Sequence, residues 1–168
     1  KSVSEVIALA KAKPGGISFG SPGTGSAPHL VGELFKIVTS LPSQHIPYKG
    51  SGGGAPALAA GEVPIFFDAV AGHIPFIKSG RVRALATTSP ARVAVFPDVP
   101  TMKEVGLAKV DGTVWYGTLA PAGTPKAVVD KLNAESNRVL AMQEVKDKLQ
   151  AVSIDTAGST PEEFGRFI

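Results

Sequence analysis

The chain has 168 residues, enough for one good core or one domain plus part of another, and its 43% hydrophobic and 18% charged content is that of a globular protein. A net charge of +3, with Lys and Arg scattered among acids and no basic stripe interleaved with aromatics, speaks against nucleic acid as a partner. The absence of cysteine removes disulfide frameworks and thiolate metal sites and fits either a cytoplasm or an oxidising compartment, while no apolar run reaches the roughly 20 residues that span a bilayer.

The first residues, VSEVIALAKAK, set Val3, Val6, Ile7 and Ala10 on one helical face, and Pro14 with the glycines at 15 and 16 stops this helix. The start at Lys1, directly in a helical pattern and without initiator methionine or signal sequence, reads as a processed chain or a fragment. A strand, ISFG (17–20), runs into SPGTGSAPH (21–29) and a second helix over 27–40, with its period through Leu30, Leu34, Phe35 and Val38. A strand that ends in a Gly/Ser/Thr turn and opens a helix aims backbone N–H groups and a positive helix dipole at one spot. That spot suits an anion, phosphate or carboxylate. QHIPYKG reads as a short strand that Pro47 confines to an edge or a strand end, followed by a loop and short helix in SGGGAPALAAG.

VPIFFDA (63–69) reads as an apolar strand closed by Asp68, GHIPFIKSG as a short helix and VRALATTS (82–89) as a further strand. This alternation at βαβ lengths predicts a mostly parallel sheet, with ligands gathered at the carboxyl ends of its strands. FPDVPTMKEVGL holds one helical turn. TVWYGTLAPAGTP supplies a strand and a loop, in which Thr124 as N-cap and Pro125 at the first helical position open the helix KAVVDKLNAESNRVL. A helix at 143–151 follows, and STPEEF forms a capping box from Thr160, Pro161 and Glu163. This tail lacks strand partners of its own and reads as part of a sheet completed elsewhere.

Few residues have the spacing of catalysis. The run from Gly23 to Pro28 lacks the third glycine of a dinucleotide fingerprint, and GxxxxGK and GxSxG are both absent. His29, His45 and His73 lie in unrelated contexts, and no carboxylates or histidines fall at metal-ligand spacing. His29 sits beside the Gly/Ser turn. Asp68, closing an apolar strand, either caps the next helix or meets a ligand amine or hydroxyl. The second N–H-rich turn, Tyr48-Lys49-Gly50 with Ser51, Gly52 and Gly53, adds a cation to the first. Trp115 and Tyr116 read as packing residues.

Taken together, SPGTGSAPHLVGELF, HIPYKGSGGGAPALAAGEVPIFFD, IPFIKSGRVRALATTSPAR, FPDVPT, WYGTLAPAGTPKAVVDKLNAE and STPEEF resemble, in order and over essentially the whole chain, the Bug family of tripartite tricarboxylate transporter substrate-binding proteins (TctC type). The resemblance implies an α/β fold of the periplasmic-binding-protein type (type II, Venus flytrap), with residues 1–112 as the second, middle ligand-binding lobe and 113–168 as the C-terminal segment that returns to the first lobe. It also implies that the family's N-terminal region is missing. The sequence departs from the family at SGGGAPALAAGEVPIFFD, where a longer helix usually precedes a Gly-x-Val-Asp strand start and Pro64 here stands in place of the acid.

By the resemblance, the protein is a soluble periplasmic receptor of a Gram-negative bacterium. It captures a small carboxylic acid for membrane permease subunits, without chemical turnover, metal or cofactor. Ser21, Thr24, Gly25, Ser26 and His29 match the carboxylate-holding loop. Tyr48, Lys49, Gly50 and Asp68 match further cleft positions of the second lobe. The alternative is an α/β enzyme acting on a small carboxylate, which needs a positioned acid, base or nucleophile where a receptor needs only donors. A nucleotide-binding regulatory domain fails on its loop signature. The orphan tail further implies pairing with the missing N-terminal region or with another copy of the chain.

Overall fold

Residues 1–168 are described by a computed structural model and divide into two units, Lys1–Val114 and Trp115–Ile168. In the first, helix α1 (Val3–Ala12) starts where the Ser2 hydroxyl accepts the N–H of Glu5 and stops ahead of Pro14, burying Val3 and Ala10. Gly16 then turns the chain with a φ of 73°, so close to the Pro42 carbonyl that no side chain fits, and Ile17 N–H bonds that same carbonyl.

Strand β1 (Ile17–Ser21) is central and lies parallel to both neighbours, β2 (Ser43–Pro47) and β3 (Ile65–Phe66), in the order β2-β1-β3. Its burial along nearly its whole length is what a parallel strand covered on both faces requires. β2 ends at Pro47 on the sheet edge, where a residue without an N–H costs no ladder bond. Helix α2 (Ala27–Thr39) is capped by Ser26 and ends at left-handed Ser40; it buries Gly32, Phe35 and Thr39, whereas Leu30, placed by its period on the apolar face, is exposed. The core joins α1, β1 and α2 through Val3, Ala10, Ile17, Phe35 and Leu41, closed by Met102 and Val110.

Within this unit three elements differ from the sequence expectation. SGGGAPALAAG is helical almost throughout, as α3 (Ser51–Ala60), because Gly54 lets the helix approach the Phe66 ring where a Cβ would overlap it. The strand expected over 63–69 shrinks to Ile65–Phe66, followed by a 3-10 turn (Val70–His73) and helix α4 (Ile74–Lys78). The strand expected over 82–89 is reduced to a single bridge between Thr87 and Thr101, and residues 83–86 make no backbone hydrogen bond. A strand exists only where a neighbouring backbone pairs with it, and none lies beside residues 83–86.

The second unit holds α5 (Lys126–Ala141), α6 (Gln143–Gln150) and α7 (Pro161–Phe167). α5 begins one residue later than the sequence pattern indicates: Pro125 is the extended N-cap, and the Thr124 hydroxyl donates to the Pro121 carbonyl instead of capping the helix. The capping box at Thr160 and Glu163 forms as expected. The Asn133 and Asn137 side-chain amides both donate to the Ser159 carbonyl, at 2.9 and 3.0 Å, tying α5 to the segment before α7. TVWYGTLAP forms no strand; Trp115 packs edge-on against Phe164 and Phe167. No helix is long and apolar enough to cross a membrane.

Candidate functional site

Because β1, β2 and β3 run parallel, their carboxyl ends deliver Ser21, Tyr48 and Asp68 to one edge of the sheet. The turn after β1 is built on Gly23, whose carbonyl accepts the Ser26 hydroxyl (2.7 Å) and the Ser26 N–H (3.2 Å). The Ser26 hydroxyl in turn caps α2 by accepting His29 N–H at 3.3 Å. Gly25, at φ 80° with open space around it, takes a left-handed conformation that favours glycine, and its N–H donates to His29 Nδ1 at 3.1 Å. Thr24 is exposed, and neither its hydroxyl nor its N–H has a partner within the chain.

A second turn is locked to the first. Tyr48 N–H donates to the Ser21 carbonyl (3.0 Å) and Gly50 N–H to the Pro22 carbonyl (2.8 Å), so the start of α3 lies beside the start of α2. Ser51, Gly52 and Gly53, read from sequence as a flexible turn, are the first turn of α3, and their N–H groups make no backbone bond. Lys49 between the two turns is exposed and forms no salt bridge. The Tyr48 ring rests on Phe66, 5.5 Å between centroids, and burial pushes its phenol pKa up. Two helix N-termini and a cation thus meet at one place, a field that favours negative charge.

Sequence reasoning set the three histidines apart, but the fold stacks two of them. The parallel register brings His45 beside Phe19, and its ring lies 4.1 Å from that of His29, with Nε2 2.8 Å from the Ser21 hydroxyl. Burial, and then the neighbouring His29, hold the His45 pKa below its ordinary value. The Ser21–His45 contact has the length of a nucleophile–base pair. Yet Ser21 is wholly buried and no group orients His45 from Nδ1, so the hydroxyl has no path to a substrate. The pair instead braces the floor of the turn. Only the strand register signals His45, since it lies 24 positions from Ser21 in the chain.

Asp68 is neither a helix cap nor a free carboxylate. One oxygen accepts Ala69 N–H at 2.8 Å and the other meets His73 Nε2 at 2.9 Å, and both side chains are nearly buried. His73 Nδ1 has no partner. No group of three or more histidines and carboxylates could hold a metal ion. A cavity of about 600 Å³ lies on the other side of β3, lined by Asp68 and His73 but by none of residues 21–26 or 48–50.

The sequence model of the tripartite tricarboxylate transporter family receptor matches residues 1–168. Protein BugT of Bordetella pertussis is 35% identical over 167 residues, which are 99% of this chain and 51% of BugT. A solved structure of a periplasmic transporter superposes with a TM-score of 0.93 at 37% identity, over 99% of this chain and 56% of that one. Among structures from R. palustris, Rpa4515 with adipate gives a TM-score of 0.91 at 30% identity (99% and 56% covered), and MatC with bound malate 0.83 at 29% identity (91% and 52% covered). The chain spans about half the length of the curated relatives it matches.

Proposed function

Since the chain belongs to the tripartite tricarboxylate transporter receptor family, to which the Bug proteins are related, we propose that it forms part of a periplasmic substrate-binding protein that captures a small carboxylate for membrane permease subunits. Residues 1–112 act as the second lobe of a Venus flytrap and residues 113–168 return to the first, whose remainder lies in the rest of the longer protein. The observation that carries this reading is the locking of two helix N-termini side by side, with Thr24, the first turn of α3 and Lys49 free to donate. Backbone donors held this way bind a carboxylate without reorganising, and no exposed hydroxyl beside them is hydrogen-bonded to a base. Ser21, Gly25, Ser26, His29 and Gly50 shape the turns, Tyr48 walls the site, and Asp68 acts through His73 rather than on the ligand. The adipate and malate held by the two R. palustris relatives favour a dicarboxylate.

Calorimetric titration of the full-length protein with adipate and malate tests the reading. Loss of a charge-assisted hydrogen bond costs about 1.5 to 3 kcal/mol, so Lys49→Ala and Thr24→Val should each weaken binding by roughly ten- to a hundredfold. Unchanged affinity in both variants would sink the site; no binding of either acid by the wild type would sink the ligand class.

A further inference from the structure

The hydrogen bonds around the stacked histidines fix what each ring can do. His29 Nδ1 accepts the Gly25 N–H at 3.1 Å. A ring nitrogen accepts only while it carries no proton, so this bond requires a neutral His29 with its proton on Nε2. Charged, His29 would turn a second N–H toward that of Gly25, and the bond would give way to repulsion.

The donor it occupies belongs to the anion-favouring turn. Gly25 lies between Thr24, whose N–H has no partner, and Ser26, whose N–H is committed to the Gly23 carbonyl. Gly25 is exposed with open space around it, so an anion can reach its N–H, yet a side chain of the same turn already accepts from it. The imidazole nitrogen stands as a rival to a carboxylate oxygen.

The second ring steers the proton to His29. His45 Nε2 lies 2.8 Å from the buried Ser21 hydroxyl, and burial, then His29, hold the His45 pKa below its ordinary value. Two imidazolium rings 4.1 Å apart would repel, so the pair takes one proton before two. Glu33 and Lys36 of α2 act on His45 in opposite directions, β1 offers only the uncharged Phe19 and Ser21, and Lys49 on the turn after β2 is exposed. An anion entering the turn competes for the Gly25 N–H and, by its charge, favours a proton on the ring it displaces. Both effects have the same sign.

We propose that His29 is a proton-linked gate of the carboxylate site: neutral, it keeps the Gly25 N–H for itself, and on taking a proton from solvent at Nδ1 it releases that N–H to the ligand carboxylate and becomes a donor beside it. The gate rests on the carboxylate site proposed above. Acid and proton then bind together, and by reciprocity the affinity for the acid rises as pH falls through the range in which imidazole titrates.

Calorimetric titration of the full-length protein with adipate and with malate, between about pH 6.5 and 8.5 and in buffers of different ionisation enthalpy, counts the protons taken up; both acids stay ionised in this range. Affinity should rise at least about fivefold from the high to the low end, with net proton uptake. His29→Gln keeps an acceptor for Gly25 but cannot take a proton, so its binding should be independent of pH and without uptake. In the ligand-free protein the Gly25 amide resonance should move with the His29 titration, followed by proton–nitrogen NMR. Binding without proton uptake, uptake that persists in His29→Gln, or a Gly25 amide indifferent to the His29 titration overturns the gate and leaves the carboxylate site standing. No binding of either acid at any pH removes the site and the gate together.

Discussion

Asp68 and His45 show how neighbouring groups set what a side chain does. With its two oxygens on Ala69 N–H and His73 Nε2, Asp68 anchors the 3-10 turn beneath the carboxyl edge of the sheet. Asp68→Ala leaves His73, already unpartnered at Nδ1, without a bond at either nitrogen, and a buried polar group left unsatisfied costs about 1 to 3 kcal/mol. Chemical denaturation should show that loss, with carboxylate affinity changed far less than in Lys49→Ala; a stable variant with altered ligand preference would return Asp68 to the cleft. His45 carries a sign that pH can read. Its pKa is lowered from 6.5, so the stability it contributes is present above pH 6.5 and is lost as pH falls below that value, where the unfolded chain binds the proton first. Burial is the larger cause and His29 the second, so His29→Ala should move the His45 titration, followed by proton NMR, part of the way back toward 6.5. No upward movement would mean that the 4.1 Å stacking carries no charge coupling.

Among the elements, those written locally were legible and those that depend on a distant neighbour were not. α1, β1, α2 and the Thr160 capping box follow from caps, breakers and period within a few residues, and β2 at the edge follows from one proline. The loop between 89 and 107 shows the same local logic. Glu104 accepts from Thr101 N–H (2.7 Å), Thr101 accepts Glu104 N–H (3.1 Å), and Arg92 grips the carboxylate from outside. Arg92 and then Thr101 lower the Glu104 pKa from 4.5 to about 2. A depressed acid stabilises above its unfolded value, so this contribution is complete above pH 4.5 and is lost between pH 4.5 and about 2; Glu104→Gln should flatten the stability curve in that window, measured by thermal melts across it. An equal slope in both proteins would show that the contact is too exposed to matter. By contrast, the short β3, the unpaired 83–86 and the stacking of His29 on His45 are set by which backbone lies alongside, and no spacing in the sequence encodes that. The anion-favouring turn was legible from Gly23 to Ser26 because its chemistry is sequential, but the contribution of α3 was read as loop because three glycines in a row conceal a helix that Phe66 selects by proximity.

At the scale of the whole chain, the exposed apolar residues decide how it behaves by itself. In the second unit Trp115, Tyr116 and Leu119 are 52, 74 and 73% exposed, and Phe167 and Ile168 are 63 and 66% exposed. Scattered apolar side chains are ordinary on a surface, but three of these five fall within five positions of a segment that pairs with no strand, and two end the chain. Burying one large side chain contributes about 1.5 to 3 kcal/mol, so covering all five on each of two copies is of the size of the roughly 4 to 15 kcal/mol that association costs. The 168-residue chain should therefore self-associate as its concentration rises, with the Trp115 emission moving to shorter wavelength as the ring leaves water, and the full-length protein should do neither. Sedimentation across a concentration series, with fluorescence on the same samples, measures both. The same chain should bind adipate far more weakly than the full-length protein, because one lobe offers donors to one side of the acid and cannot close over the other. A chain that stays monomeric with an unshifted Trp115 and binds adipate as tightly as the full-length protein would show that residues 1–168 are self-sufficient and that the second lobe holds the ligand alone.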